Sequence, residues 1–464
     1  MEWGHAHLET ALETLENLPV FVAYNANVDA VVRVDDDLEA ALDRPAAPGE
    51  NRPQGRLDTP RELAAAITHA MVAGRGDQLT LTDEFAATLE RKMTPDTQQL
   101  GGQAGIMSNL LSAYGAAPIL YTYLLSERQR SQFDHPGRVR YPLVEDETVR
   151  PVPLEEAPTA DRTKINWVFE FAVGDELFGV RAPEGSRFIA ASRPPEFDLY
   201  AGDLDAVIDQ VGAVVDGALL AGYHNLTPEH SGDYEEPHRH ARDVIRRLRS
   251  GSENELDVHV EYVVTHDDAL RESIAEWILP EATVIGLDEH ELHLLQSDAG
   301  LGADEAVAGA ESEADLEQTI RMQYRQLETI RERLGVDCLR LHAMEYHLAV
   351  MDDHLPPEAV RHGLEFAAIN AATKAARGHV LRPTDLETGL EYEPSKEGRD
   401  AITHLADDIG ESATDGTLCT PTVVACPNRV VADPAGTVGI GDIVSASSFA
   451  LELAVANARG KRTD

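Results

Sequence analysis

Three apolar runs, VVDGALLAGY (214–223), DVHVEYVV (257–264) and ATVIGL (282–287), alternate with helix-forming stretches and decide the fold. Residues from Pro237 to Leu248 are rich in helix formers, DDALRESIAEWI (267–278) fills the second interval, and EHELHLLQ (289–296) follows the third run. Strands separated by helices in this rhythm form a mainly parallel sheet with helices on both faces. Beyond an acidic helical segment around 315–334, DCLRLHAM (337–344) and YHLAVMD (346–352) read as two more strands. GIGDIVSASSFALELAVANA (439–458) reads as a final helix, with small residues at its start and apolar residues at helical spacing after it.

Working back toward the N-terminus, LPVFVAYN (18–25) is a buried strand, but residues 26–100 lack the βαβ rhythm. INWVFEFAVG (165–174) and ELFGVRA (176–182) alternate as strands of a half-exposed sheet do. The expected organisation is a large α/β unit of residues 1–25, 101–144 and 191–464. A smaller, largely β unit of 26–100 and 145–190 is inserted into it. The acidic, Gly/Ala-rich stretch 297–314 and the polar stretch 382–416 are expected to be surface insertions.

Composition narrows the function classes. The chain of 464 residues carries 82 Asp and Glu against 39 Lys and Arg, a formal net charge of -43, and only five of its cations are lysine. So acidic a chain lacks the basic footprint of a nucleic-acid binder. The acids are spread along the chain and not clustered, which suits a cytoplasm of molar salt, where screening shortens the Debye length to about 3 Å. The sequence shows no secretory leader and no run of about 18–20 apolar residues, so no membrane association is expected. Three scattered cysteines, Cys338, Cys419 and Cys426, form neither a disulfide framework nor a CxxC zinc pair, which fits a reducing compartment.

The strongest local motif is TVGIGD (437–442), which opens the final helix. Gly439 and Gly441 let backbone N–H groups approach an anion at a helix N-terminus, and Asp442 sits in the first turn. Taken alone, it is also an ordinary helix-capping acid. Four further groups accompany it: Asn27-Val28-Asp29 after the first strand, GGQAGIMSNLL (101–111), His259-Val260-Glu261, and Asp288-Glu289-His290-Glu291. Each has a plain explanation as a loop, a turn, a strand histidine or a capping cluster.

Together, in this order, they resemble the motif set of the ADP-dependent sugar kinases: N-x-D, GG-[NQ]-AG, H-x-E, N-x-x-E and a late G-x-G-D. The phrases VFEF, AGYHNL, IGLDEHEL and DPAGTVGIGD are similar to that family as well, from about residue 19 to 457. The resemblance implies a ribokinase-like three-layer α/β/α large domain with a smaller lid domain. It implies ADP as phosphoryl donor, a sugar or sugar phosphate as acceptor, and Mg²⁺ as cofactor. Asp442 would be the general base, and the backbone N–H groups of Gly439, Ile440 and Gly441 the anion hole. Glu261 and Glu291, with Asp442, would hold the metal directly or through water. Asn27, Asp29, Gly102, Gln103 and Asn166 would contact the sugar, while Arg187 and His342 would serve the nucleotide together with Gly439 and Ile440.

The sequence departs from the family pattern at Asp288, where the motif has Asn, and at Asn166, where relatives often carry His. Fructose 6-phosphate is the expected acceptor, with glucose or dual specificity as the alternative. In HAMVAGRGDQL (69–79), Ala73 stands where a glucose-binding acid is expected, and Lys164, with Arg193 as a weaker candidate, would meet a 6-phosphate. An ATP-dependent kinase of the same fold and a non-catalytic binding relative are the competing readings.

Overall fold

The computed structural model describes residues 3–194, 202–226, 234–253, 256–263, 265, 267–298, 300, 315–436 and 438–460. Its strands in chain order are β1 (Pro19–Tyr24), β2 (Asn27–Arg33), β3 (Asp77–Thr80), β4 (Thr97–Gly101), β5 (Ala117–Tyr121), β6 (Arg140–Glu145), β7 (Thr148–Pro153) and β8 (Ile165–Phe171). The hairpin β9 (Glu176–Leu177) and β10 (Val180–Arg181) and strand β11 (Ser186–Ala191) come next. Then follow β12 (Gly217–Ala221), β13 (Asp257–Glu261), β14 (Val284–Leu287), β15 (Cys338–His342), β16 (Tyr346–Met351), β17 (Leu418–Cys419) and β18 (Val423–Pro427).

One large sheet has the order β17-β18-β16-β15-β14-β13-β12-β1-β5-β6-β7. From β15 through β1 to β6 every pairing is parallel, and antiparallel strands extend both edges. Alternation along its strands feeds two cores. Phe21, Ala23, Ala218, Leu220, Leu339 and Leu341 join one apolar cluster, while Val20, Val22, Leu219 and Cys338 join the cluster on the opposite face. Both faces are therefore covered by helices, which is why these strands read as continuous apolar runs in the sequence.

The second sheet has the order β3-β11-β8-β2-β4. Val28, Ala30, Val32, Trp167, Phe169 and Phe188 pack on one face against Leu63, Ile67 and Met71 of the helix Pro60–Ala73 and Phe85 of the helix Asp83–Lys92. The smaller unit is thus a sheet with helices on one face, and strand β8 is mostly buried, not half-exposed.

Several sequence expectations need correction. Strand β7 pairs with β6 along the edge of the large sheet, so residues 148–153 extend that sheet and not the small one. Residues 382–416 are no surface insertion: the helix Lys396–Ile409 sends Ala401, Ile402 and Leu405 into the large core. Of the stretch 297–314, only 297, 298 and 300 fall within the described residues. The segment Ile440–Ala458 is long and apolar enough to span a bilayer by composition, but 67% of that window is buried inside the fold, and it is a core helix. It packs against the helix Pro357–Arg377.

Candidate active site

The chain crosses between the two sheets four times, at Asn25–Ala26, Gly102, Lys164 and Ser192–Arg193, and the candidate residues gather around these crossings. In the large unit they stand at the carboxyl ends of parallel strands: Asn25 after β1, His224 after β12, Glu261 ending β13, Asp288 after β14 and His342 ending β15. Open parallel sheets place ligands at this edge, where helix N-termini and loops converge.

The small sheet offers its other, polar face. Register places Asp29 between Gln99 of β4 and Asn166 of β8, and Asn166 opposite Ala191. Alternation from the buried Phe188 puts Arg187 on that same face. Asn27 Nδ2 donates to Asp29 Oδ1 at 2.6 Å. Asn27 Oδ1 and Asn166 Oδ1 are buried without a hydrogen-bond partner among the described residues. Unsatisfied polar atoms of this kind are rare in folded proteins and fit a missing hydroxyl-bearing ligand. The glycine pair is forced by close approach. A Cβ at Gly101 would lie 2.2 Å from Asp29 Oδ1, and one at Gly102, whose φ is +76°, would lie 2.5 Å from the Asn25 carbonyl.

Beside this face lie the buried basic side chains of Lys164 and Arg193, with His224 next to them. Lys164 is 2% exposed and Arg193 7%. Burial and the neighbouring Arg193 push the Lys164 ammonium down to about 7, with Asp29 acting in the opposite direction. Burial, Lys164 and Arg193 hold the His224 imidazolium down to about 3. Lys164 Nζ donates to Asn25 Oδ1 at 2.6 Å, and Arg193 Nη1 donates to the Asn225 carbonyl at 3.1 Å.

Asp442 occupies the first turn of the helix Ile440–Gly460, after Gly439 with φ +76°. Thr437 of the motif lies outside the described residues. Burial, then the charges of Glu261 and Asp29, raise the Asp442 carboxyl to about 8, and Lys374 opposes them. Burial likewise raises Glu261 to about 7; His342 and the Ser445 hydroxyl lower it, and Asp288 raises it. Glu261 Oε2 meets Ser445 Oγ at 2.5 Å and His259 Nε2 at 3.1 Å. A Cβ at Gly441 would lie 2.9 Å from His342 Nε2, which places this histidine against the GxGD turn.

Glu291 and Asp288 cap each other: Asp288 N–H donates to Glu291 Oε2, and Glu291 N–H donates to Asp288 Oδ1, both at 2.8 Å. One carboxylate oxygen of Glu291 is thereby engaged in starting its own helix. Among the described residues no three His, Cys, Asp or Glu converge as a metal cage. The crowded Asp442, Glu261 and Asp288 carboxylates still suit a cation held largely through water, as Mg²⁺ often is.

Sequence reasoning missed Asn25, Ser445 and Lys374. Lys374 Nζ donates to the Gly378 carbonyl at 2.6 Å. Burial lowers its ammonium, against the charges of Asp442 and Asp29. Its one sequence signal was lysine scarcity. Ala73, by contrast, is exposed at the end of the helix Pro60–Ala73. The following Gly74 and Gly76 lie near Glu184 and the start of β11, whereas Asn166 pairs at the far end of that strand. Ala73 therefore does not face the sugar-side residues, and the specificity argument drawn from it falls.

The chain matches the model of the ADP-specific phosphofructokinase/glucokinase conserved region over residues 18–451. It is 30% identical to the ADP-specific phosphofructokinase of Pyrococcus abyssi over 459 residues, covering 94% of this chain and 97% of the other. It is 28% identical to that of Thermococcus zilligii, covering 97% and 99%. A solved ADP-dependent kinase in complex with fructose 6-phosphate and ADPβS superposes with a TM-score of 0.81 at 27% identity, covering 97% of this chain and 96% of that one. The large three-layer unit is the ribokinase-like fold expected from the motifs.

Proposed function

Because the chain belongs to the ADP-specific phosphofructokinase/glucokinase family, we infer that it transfers the β-phosphoryl group of ADP to fructose 6-phosphate, yielding fructose 1,6-bisphosphate and AMP. The observation that carries the choice of acceptor is the buried pair of basic side chains Lys164 and Arg193 beside Asn27, Asp29 and Asn166. Arg193 and burial disfavour the Lys164 ammonium, and a bound phosphate would offset both effects. Glucose carries no phosphate for these two side chains to bind.

In this reading Asn27, Asp29, Gly102, Gln103 and Asn166 hold the sugar hydroxyls, and Lys164 and Arg193 hold the 6-phosphate. Asp442 takes the proton of the 1-hydroxyl as its oxygen bonds to the β-phosphorus, and the bond to the bridging oxygen breaks to release AMP. The N–H groups of Gly439, Ile440 and Gly441 stabilise the charge on the transferring group, and His342 borders the nucleotide. Arg187 approaches the phosphates from the lid as it swings about the four crossings, a closure that excludes water. Mg²⁺, when bound, offsets phosphate charge, with Glu261 and Glu291 as its holders, largely through water.

The same reading places the enzyme in a cytoplasm of high salt. The test compares kcat/KM for fructose 6-phosphate and glucose, with ADP and with ATP, in molar KCl. A higher value for fructose 6-phosphate with ADP is expected. Preference for glucose would make the chain a glucokinase, preference for ATP would overturn the donor, and no turnover with any pair would leave a binding protein.

A further inference from the structure

Asn25 ties the phosphate-side cation to the sugar-side turn. Its Oδ1 accepts from Lys164 Nζ at 2.6 Å, and its Nδ2 donates to Gln103 Oε1 at 2.8 Å. Its backbone carbonyl accepts from Ala104 N–H at 3.0 Å, which fixes the start of the helix Gln103–Ala113. All three partners lie at places where the chain passes between the sheets. Asn25 thus joins the first crossing to the second and the third.

The socket around it is tight. Asn25 is 5% exposed. A Cβ at Gly222, whose φ is +104°, would stand 2.8 Å from Asn25 Cβ, and one at Gly102 would stand 2.5 Å from its carbonyl oxygen. Gly222 thus crowds the base of the side chain and Gly102 the backbone carbonyl, while the two hydrogen bonds fix the amide itself. The fourth crossing is tied to the third independently, by Ile165 N–H donating to Ser192 Oγ at 2.7 Å.

A lysine is a point charge on a flexible stem, and its usefulness in recognition depends on what fixes the ammonium. An aspartate in place of Asn25 would fix it by neutralising it. A neutral amide fixes it without adding a counter-charge. The other end of the same amide orients Gln103, a residue read as a sugar contact. We propose that Asn25 is a specificity-determining positioning residue, which aims Lys164 at the phosphate of a sugar phosphate and sets its distance from the hydroxyl-binding turn at Gln103. The inference rests on the fructose 6-phosphate reading above and adds to it the residue that makes phosphate and hydroxyl recognition a single geometry.

The test is steady-state kinetics of Asn25→Leu and Asn25→Asp beside the wild type, each with fructose 6-phosphate and ADP varied separately, and with folding checked by circular dichroism. For Asn25→Leu, KM for fructose 6-phosphate should rise at least tenfold while KM for ADP changes less than twofold. For Asn25→Asp, which keeps the shape and neutralises the cation, KM for fructose 6-phosphate should rise again with KM for ADP unchanged. A merely structural role would shift both constants together. Either that result, or an unchanged fructose 6-phosphate KM in the folded aspartate variant, overturns the proposal even if leucine prevents folding. A wild type that turns over glucose but not fructose 6-phosphate overturns the reading beneath it, and the proposal with it.

Discussion

Ser445 Oγ donates to Glu261 Oε2 at 2.5 Å, from one turn beyond Asp442 on the same helix. The two acids nearest the expected phosphoryl path are therefore mechanically linked, because a shift of the helix moves the base and the clamp on Glu261 together. His259 approaches the same oxygen, and a Cβ at Gly286 would collide with all three groups, at 2.4 Å from Glu261, 2.7 Å from His259 and 2.8 Å from Ser445.

Removing the clamp should loosen metal recognition before it harms nucleotide binding. In Ser445→Ala, Glu261 loses a hydrogen bond to its charged form, worth about 1.5–3 kcal/mol in a buried setting. The Mg²⁺ concentration needed for half-maximal rate should rise roughly tenfold, while KM for fructose 6-phosphate stays within about twofold. Titration of activity with Mg²⁺ at fixed ADP checks this, and an unchanged Mg²⁺ requirement would count against Glu261 as a holder of the ion.

Asp442→Asn should lower kcat by about 10³-fold or more and leave ADP binding intact, since the amide keeps the shape but accepts no proton. Stability should move the other way. Burial, Glu261 and Asp29 raise the folded carboxyl from 3.8 to about 8, so the folded state binds more protons than the unfolded one between those values. Wild-type stability from this group is therefore lost as pH rises from about 4 to about 8. The asparagine variant escapes that loss. Its melting temperature should exceed the wild-type value at pH 8.5, by about 1–3 °C, and approach it near pH 4. Equal loss of ADP binding in the variant would mark Asp442 as a helix cap.

How much of this was legible in the sequence follows from the range of each interaction. The parallel strands could be read because burial on both faces writes continuous apolar runs, as in Phe21–Tyr24 and Ala218–Ala221. Asp442 and Glu261 stood out because glycines and a strand histidine mark them locally. Lys374 and Ser445 did not: each acts across a distance in sequence, Ser445 on an acid 184 residues away, and within a helix both look like ordinary residues. Asn25 lay in view beside Asn27, but its meaning depends on Gln103 and Lys164. The hairpin partner of β6 was assigned to the wrong sheet because an edge strand carries the same alternation in either unit. Ala73 failed for a different reason, since matching a residue through a segment of uncertain length fixes its type and not its place.

Lys164 gives a pH signature. Burial and Arg193 bring its ammonium from 10.5 down to about 7, so in the free enzyme it loses its charge as pH climbs through that value. KM for fructose 6-phosphate should therefore rise between about pH 7 and pH 9 in the wild type. Lys164→Arg, whose guanidinium stays charged, should flatten that rise, at some cost in geometry at neutral pH. Lys164→Ala should raise KM for fructose 6-phosphate by about 10²-fold with little effect on ADP. A normal KM in the alanine variant would remove the lysine from the site.

Salt should act on the whole molecule. Eighty-two acids against 39 bases leave a net charge of -43 on a chain that folds into close-packed sheets, and self-repulsion opposes that compact state. Ion pairs such as Arg246–Glu281 and Arg150–Glu145 have at least one partner more than half exposed, and pairs of this kind contribute about 0–1 kcal/mol each. Raising KCl from 0.1 M to 3 M screens both the few attractions and the many repulsions, and with acids in twofold excess the repulsions dominate. The melting temperature should rise across that range, by about 10 °C or more, with most of the gain below 1 M if screening alone is responsible. A continued rise above 1 M would show that salt also strengthens apolar burial or hydrates the acidic surface. A melting temperature that is flat or falls from 0.1 M to 3 M would remove the high-salt cytoplasm from the reading, and would leave the acid excess without a role in stability.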